Sequence, residues 1–348
     1  MEVEVRLLSL PLREALEAAH GASASVRELV VIRVVEDDGT EGWGECSALT
    51  NPGYTSEWAR GAFDILVSGG SVDPDVHPMA ASAVEMADLD VQLRRQNQSL
   101  ASWLEVTDTH VAAGATVGIA SVAETTTRCV ALAETGFRRI KLKIEPGYDL
   151  DVVGPVSKAL ADFDVALHVD GNGSYDAGDD APLHRLHEFG VTVIEQPYAP
   201  GTIEPLLNLI ESGPALVIAD EAIDTVADAQ WHLENGLLGG ISIKPPRVGG
   251  LANARKLAQW CSTHNVPASA GGMLESGLGR HALAAFAGQD AITVTGDLSP
   301  ASRWLAVDPW PDLAMNEGLI AVPTAAGIAP SPDLDLLDQV TVQIATLR

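Results

Sequence analysis

Basic residues are scarce in this chain. Its 348 residues hold 21 lysines and arginines against 48 aspartates and glutamates, a formal charge of -27. That balance disfavours a nucleic-acid partner and supplies no basic patch for an anionic membrane. It does not by itself mark an acidic site, because a solvated surface accounts for most such charge. Cysteine is sparse too. Cys46, Cys129 and Cys261 are odd in number and scattered, without metal-finger or CxxC spacing, and a reducing compartment is the simpler expectation. No run of about 20 apolar residues escapes polar interruption. Glu2, Glu4, Arg6 and Arg13 break the opening segment where a signal peptide would be apolar. These absences point to a soluble cytoplasmic protein. A homo-oligomer stays open, since no decisive interface pattern is exposed.

What is present is enough apolar content, 46%, for one large domain and a smaller one. From about residue 115, short branched apolar runs alternate with helical patterns. The runs are 115–119, 139–144, 165–169 leading into Asp170, 191–195, 215–220, 240–244, 266–270 and 291–295, and their ends recur about every 25 residues, room for a strand, two loops and a helix. Val152, Val156, Ala159 and Leu160 share one helical face, as do Leu251, Ala254, Ala258 and Cys261. Eight such strands can close an α/β barrel; a doubly wound open sheet is the alternative. Earlier, 3–10, 28–35 and 41–45 read as antiparallel strands, with a turn at Asp37-Asp38-Gly39. Trp58, Ala62, Ile65 and Leu66 mark a helical face, and 79–94 reads as a further helix.

Asp170, Glu195 and Asp220 fall at the ends of three successive expected strands, 25 residues apart. A barrel would bring those ends to one mouth, where hard carboxylate oxygens suit Mg2+; separately solvated acids are the alternative. Lys141 and Lys143 alternate on the preceding strand and so share a face, with Lys143 nearer the mouth, and Lys244 ends a strand across the ring. A proton α to a carboxylate is poorly acidic, so its removal calls for a base and for positive charge around the developing dianion. Two lysines beside a divalent cation answer both needs, though surface exposure is the plainer reading of any one lysine. Asn172 is placed to bond substrate or a ligand near the mouth, or is simply part of a DGNG turn. Glu221 either supports the cation and Lys244 or starts a helix.

Together these residues resemble the enolase superfamily and, within it, the o-succinylbenzoate synthase and N-acylamino-acid racemase group. The text is KLK at 141–143, HVDGNGSY at 168–175, IEQP at 194–197, ADEA at 219–222, ISIKPPRVGG at 241–250, GGMLESGLGR at 271–280 and GDLSPASRW at 296–304, with RELVVIRV and GWGECSA nearer the start. The resemblance covers nearly the whole chain. It implies a modified TIM barrel, (β/α)7β, under an α+β capping domain: cap 1–110, barrel 111–320, and a segment 321–348 returning to the cap. It also implies Asp170, Glu195 and Asp220 as ligands of Mg2+, with Mn2+ as a substitute. Lys143 and Lys244 then flank a small-molecule carboxylate, with Lys141 supporting Lys143.

The implied reaction is o-succinylbenzoate synthesis for menaquinone. N-acylamino-acid racemisation, another carboxylate epimerisation or a cycloisomerisation on the same residues is the alternative, and a silent small-molecule binding protein is the non-enzyme reading. Gly271, Gly272, Met273 and Leu274 are candidates for the acyl wall, and Tyr54 and the 18–28 loop for cap contacts; loop packing is the plainer role for each. Three departures bear on substrate choice: ALEAAHGASASVRE at 15–28 lacks the PF-type loop, two prolines follow Lys244, and Thr295 replaces a proline.

Overall fold

A computed structural model describes residues 1–13, 25–69 and 71–347, with the backbone of 17–18 and 21–22. Near the start, β1 (Glu2–Pro11), β2 (Val26–Val35) and β3 (Glu41–Cys46) form an antiparallel sheet. Its outer strand is Thr341–Leu347, which pairs with β1 so that Val3 faces Leu347. Alternation along the strands sends Val5, Leu7, Val30 and Ile32 into one cluster with α1 (Ala59–Val67) and α2 (Pro78–Arg95). Leu8, Leu10, Leu29 and Trp43 join the larger cluster that contains Leu278, Leu283 and Trp310. The α1 face differs from the sequence expectation. Trp58 precedes the helix and is 40% exposed, while Ala59, Ala62, Phe63 and Leu66 carry the burial.

The second sheet has seven parallel strands in sequential order. They are β4 (Gly114–Val117), β5 (Arg139–Lys143), β6 (Ala166–Asp170), β7 (Val191–Glu195), β8 (Leu216–Ala219), β9 (Gly240–Ile243) and β10 (Ala268–Ala270). Helices fill most of the connections, as parallel pairing demands. On β5 the period of two is plain. Ile140 and Leu142 pack with Val152, Val153 and Val156 of the helical layer, while Arg139, Lys141 and Lys143 face the ring interior.

The expected eighth strand at 291–295 is reduced to a single bridge between Ser269 and Val294. The ring still closes. Val294 N donates to Ala268 O at 3.0 Å, Asp297 N to Ala270 O at 2.9 Å, and Gly114 N to Leu298 O at 2.9 Å. Backbones cross here too closely for side chains: a Cβ on Gly296 would lie 2.0 Å from Ala270 O, and one on Gly114 would lie 2.1 Å from Gly296 O. The seam is thus a close crossing of irregular chain rather than a regular ladder. Among the described residues, no helix is long and apolar enough to cross a membrane.

Candidate active site

Asp170 ends β6, Glu195 ends β7, and Asp220 follows β8 by one residue. In-register parallel pairing sets Asp170 beside Glu195, and all three carboxylates are buried. Lys143 ends β5 and Lys244 follows β9, with three strands between them on one side of the ring. In a closed eight-membered ring the two lysines therefore stand opposite each other.

Each carboxylate is held by cations. Lys143 Nζ donates to Asp170 Oδ2 at 2.7 Å and to Asn172 Oδ1 at 2.6 Å. Lys141 Nζ donates at 2.9 Å to both oxygens of Glu195 and to Asp297 Oδ2, with Asp170 at 3.2 Å. Lys244 Nζ donates to Asp220 Oδ2 at 2.6 Å and to the Tyr54 hydroxyl. Arg247 takes the other oxygen of Asp220 at 2.5 Å and also reaches Tyr54 at 2.8 Å. The Tyr54 hydroxyl in turn donates to Asp220 Oδ2 at 3.1 Å.

Electrostatics follow from this packing. Burial opposes the charge of Lys244, but Asp220 and Tyr54 outweigh it and hold the ammonium well above its ordinary range. Burial pushes Glu195 upward; Lys141 offsets part of that, while Asp170 and Asp220 add to it. Burial and then Asp220 push Glu221 up to about 7. The acids therefore repel one another at short range and call for positive charge among them. Among the described residues, no three acidic, histidine or cysteine side chains are drawn together as a finished cation cage, because the ammonium groups sit between them. The donor set itself, three buried hard-oxygen carboxylates on adjacent strand ends, suits a small divalent cation. One oxygen of Glu221, Oε2, is buried without a hydrogen-bond partner.

The remaining expected residues are placed as follows. Asn172 sits in the left-handed region at φ 43° and is part of the turn, yet its side chain also joins Lys143 to Glu221, donating to Glu221 Oε1 at 2.9 Å. Tyr54, Gly272, Met273 and Leu274 line a cleft of about 100 Å³ together with Lys141, Lys143 and Lys244. Gly271 stands behind that wall: a Cβ there would lie 2.6 Å from Lys244 Cγ, so its role is to let the lysine pass. The side chains of 18–24 lie outside the described residues. Two site residues had no role assigned from sequence, Arg247 and Asp297. Each lies inside a quoted motif, three residues after Lys244 and one after Gly296, so proximity to those motifs was the available signal. Asp297 receives Arg139 at 2.6 Å and Thr116 at 2.9 Å besides Lys141.

Fold and site together define a capped α/β barrel with a cationic and carboxylate centre at the strand ends. The chain belongs to the enolase superfamily: residues 124–336 match the family described as Enolase C-terminal domain-like. It is 36% identical to an N-succinylamino acid racemase of an Amycolatopsis species, over 97% of this chain and 96% of that protein. It is 31% identical to the o-succinylbenzoate synthase of Bacillus subtilis (strain 168), over 89% and 88%. A crystallised enolase-superfamily member from Listeria innocua Clip11262 superposes with a TM-score of 0.91 at 27% identity, covering 99% of this chain and 98% of that one. These relatives support an enzyme and do not separate the two activities.

Proposed function

We propose that this chain is an o-succinylbenzoate synthase, a carbon-oxygen lyase of menaquinone biosynthesis. It would convert 2-succinyl-6-hydroxy-2,4-cyclohexadiene-1-carboxylate to 2-succinylbenzoate by syn dehydration. The observation that carries the reading is the placement of Lys143 and Lys244 on opposite sides of one mouth, beside three buried carboxylates on consecutive strands.

Asp170, Glu195 and Asp220 would hold Mg2+, or Mn2+ in its place. When bound, the cation supplies positive charge against that which builds on the substrate carboxylate. Lys143, as the free amine, takes the α-proton, and the C–H electron pair moves into the carboxylate. Lys244, kept charged by Asp220, faces that negative charge from the other side. The pair then returns to form the ring double bond, and the C–O bond to the β-hydroxyl breaks. The proton held on Lys143 passes to the departing oxygen, which leaves as water. Asn172 aims Lys143, while Lys141 and Asp297 fix the charges behind it.

N-acylamino-acid racemisation is the second reading, favoured by the same opposed pair: one lysine removes the α-proton and the other returns one to the opposite face. Both readings take a small-molecule carboxylate. The test is turnover of the cyclohexadiene carboxylate with Mg2+, with N-succinyl amino acids in parallel and Lys143→Ala as control. Loss of the cyclohexadiene that is absent in the variant supports the synthase. Racemisation without dehydration supports the second reading, and activity on neither rejects both.

A further inference from the structure

Arg27, on β2, is only 2% exposed. Each of its five N–H donors goes to a backbone carbonyl. Nη1 donates to Glu28 O and Ala48 O, both at 2.6 Å. Nη2 donates to Ser47 O at 2.5 Å and Met273 O at 3.1 Å, and Nε to Leu274 O at 3.1 Å. Three of these carbonyls belong to β2 or to the chain just after β3; the other two belong to the loop that follows β10. A buried guanidinium that binds only peptide oxygens, with no carboxylate as a hydrogen-bond partner, is costly to desolvate. Such a group is spent on holding backbone in place.

The backbone it holds needs holding. Leu274 has φ 56°, in the left-handed region that a branched side chain disfavours. From the other side, Glu275 Oε1 accepts from Met273 N at 2.6 Å. Arg280 lies 3.2 Å from Glu275 and donates to Asp297 O at 2.6 Å. The Met273 side chain packs in the cluster of the antiparallel sheet with Val5 and Val30, and it also lines the cleft with Leu274. The cleft wall facing the lysines is therefore hung from the cap.

We propose that Arg27 is a positioning residue that sets the Met273–Leu274 wall, and through it decides how the acyl arm of the carboxylate substrate is seated against Lys143 and Lys244. The proposal rests on the function proposed above. It assigns Arg27 control of substrate choice between the dehydration and racemisation substrates, without contact to the reacting atoms. A wall displaced by about 1 Å is enough to alter alignment severely.

The experiment compares full-length wild type, Arg27→Met and Arg27→Lys in Mg2+, measuring kcat and KM for the cyclohexadiene carboxylate and for an N-succinyl amino acid. Arg27→Met is expected to raise KM and to change the ratio of kcat/KM between the two substrates by about tenfold. Arg27→Lys, which keeps the charge but not the fork, should recover part of that ratio. Equal loss on both substrates with KM unchanged would overturn the proposal, since a general loss of folded enzyme acts that way. Should Arg27→Met not fold, Arg27→Lys alone carries the comparison. Amide hydrogen exchange separates the two readings if wild type processes neither substrate. Faster exchange confined to residues 271–276 in the variant sustains the role of Arg27 while the function fails, and unchanged exchange there refutes it.

Discussion

Asp297 accepts a hydrogen bond from Lys141 at 2.9 Å, and it does so at the seam where the barrel closes on itself. The contact joins the irregular seam of the ring to a deeply buried ammonium. Asp297→Asn should cost about 3 kcal/mol, because Arg139 loses its close carboxylate and keeps only Glu195 at 3.9 Å, while Lys141 retains Glu195 and Asp170. Urea unfolding measures this, and a loss under about 1 kcal/mol would show that Glu195 and Asp170 suffice to balance the two cations.

Lys143→Ala and Lys244→Ala should each lower kcat by about 10²- to 10⁴-fold while leaving the fold intact. If the synthase reading holds, the two differ in D2O. Exchange of the substrate α-proton should vanish in Lys143→Ala and persist at a reduced rate in Lys244→Ala. Equal retention of exchange in both variants would remove Lys143 as the base.

Chelation should abolish turnover, and added Mg2+ should restore it. Since the cation would bind only the folded mouth, saturation at about a hundred times its dissociation constant stabilises by about 2.7 kcal/mol, visible as a rise in Tm. Asp220→Asn should lose both responses. A Tm indifferent to Mg2+ in the wild type would argue against the three carboxylates as its ligands.

Glu45 carries a pH dependence of stability. Burial raises its carboxyl to about 7; Ser276 and Ser47 oppose this by hydrogen bonding, and Glu275 adds to it. With the folded value above the unfolded one, the neutral acid is the form the native state favours. The contribution is complete below about 4.5 and is lost as pH rises through about 7, amounting to roughly 3 kcal/mol. The unfolding free energy of wild type minus that of Glu45→Gln should fall by that amount between pH 4.5 and pH 8. A difference that stays flat with pH would place the titration elsewhere.

Gly296→Ala should be more damaging than an ordinary glycine replacement. Its Cβ meets the backbone oxygen of Ala270 at 2.0 Å, which only movement of the seam can relieve. A Tm within about 2 °C of wild type would show that the seam yields freely, given that 1 kcal/mol moves Tm by several degrees in a domain smaller than this one and by less here.

Much of this centre was legible in the chain because it is built on regular spacing. Strand ends recurring at Asp170, Glu195 and Asp220, and two lysines on alternate positions of one strand, are direct consequences of barrel and pleat geometry. The eighth strand was misread because apolar content at 291–295 suggested a ladder, whereas the glycines at 114 and 296 bring backbones too close for one. Trp58 was placed on a buried face by periodicity that starts only at Ala59. Arg27, Arg247 and Asp297 each lie inside a quoted motif, but most of their partners are carbonyls and charges about 20 or more residues away, so spacing alone gave none of them a role.

The pairing of Thr341–Leu347 with β1 has a consequence for biosynthesis. As the chain leaves the ribosome, β1 emerges before the barrel strands and must wait for all of them before its outer edge is covered. An uncovered edge is a template for association with other chains, and pairing across so long a separation is slow to form. A nick just before residue 341 would spare every lysine and carboxylate of the centre, yet return the sheet that carries Arg27 to the exposed state of a nascent chain.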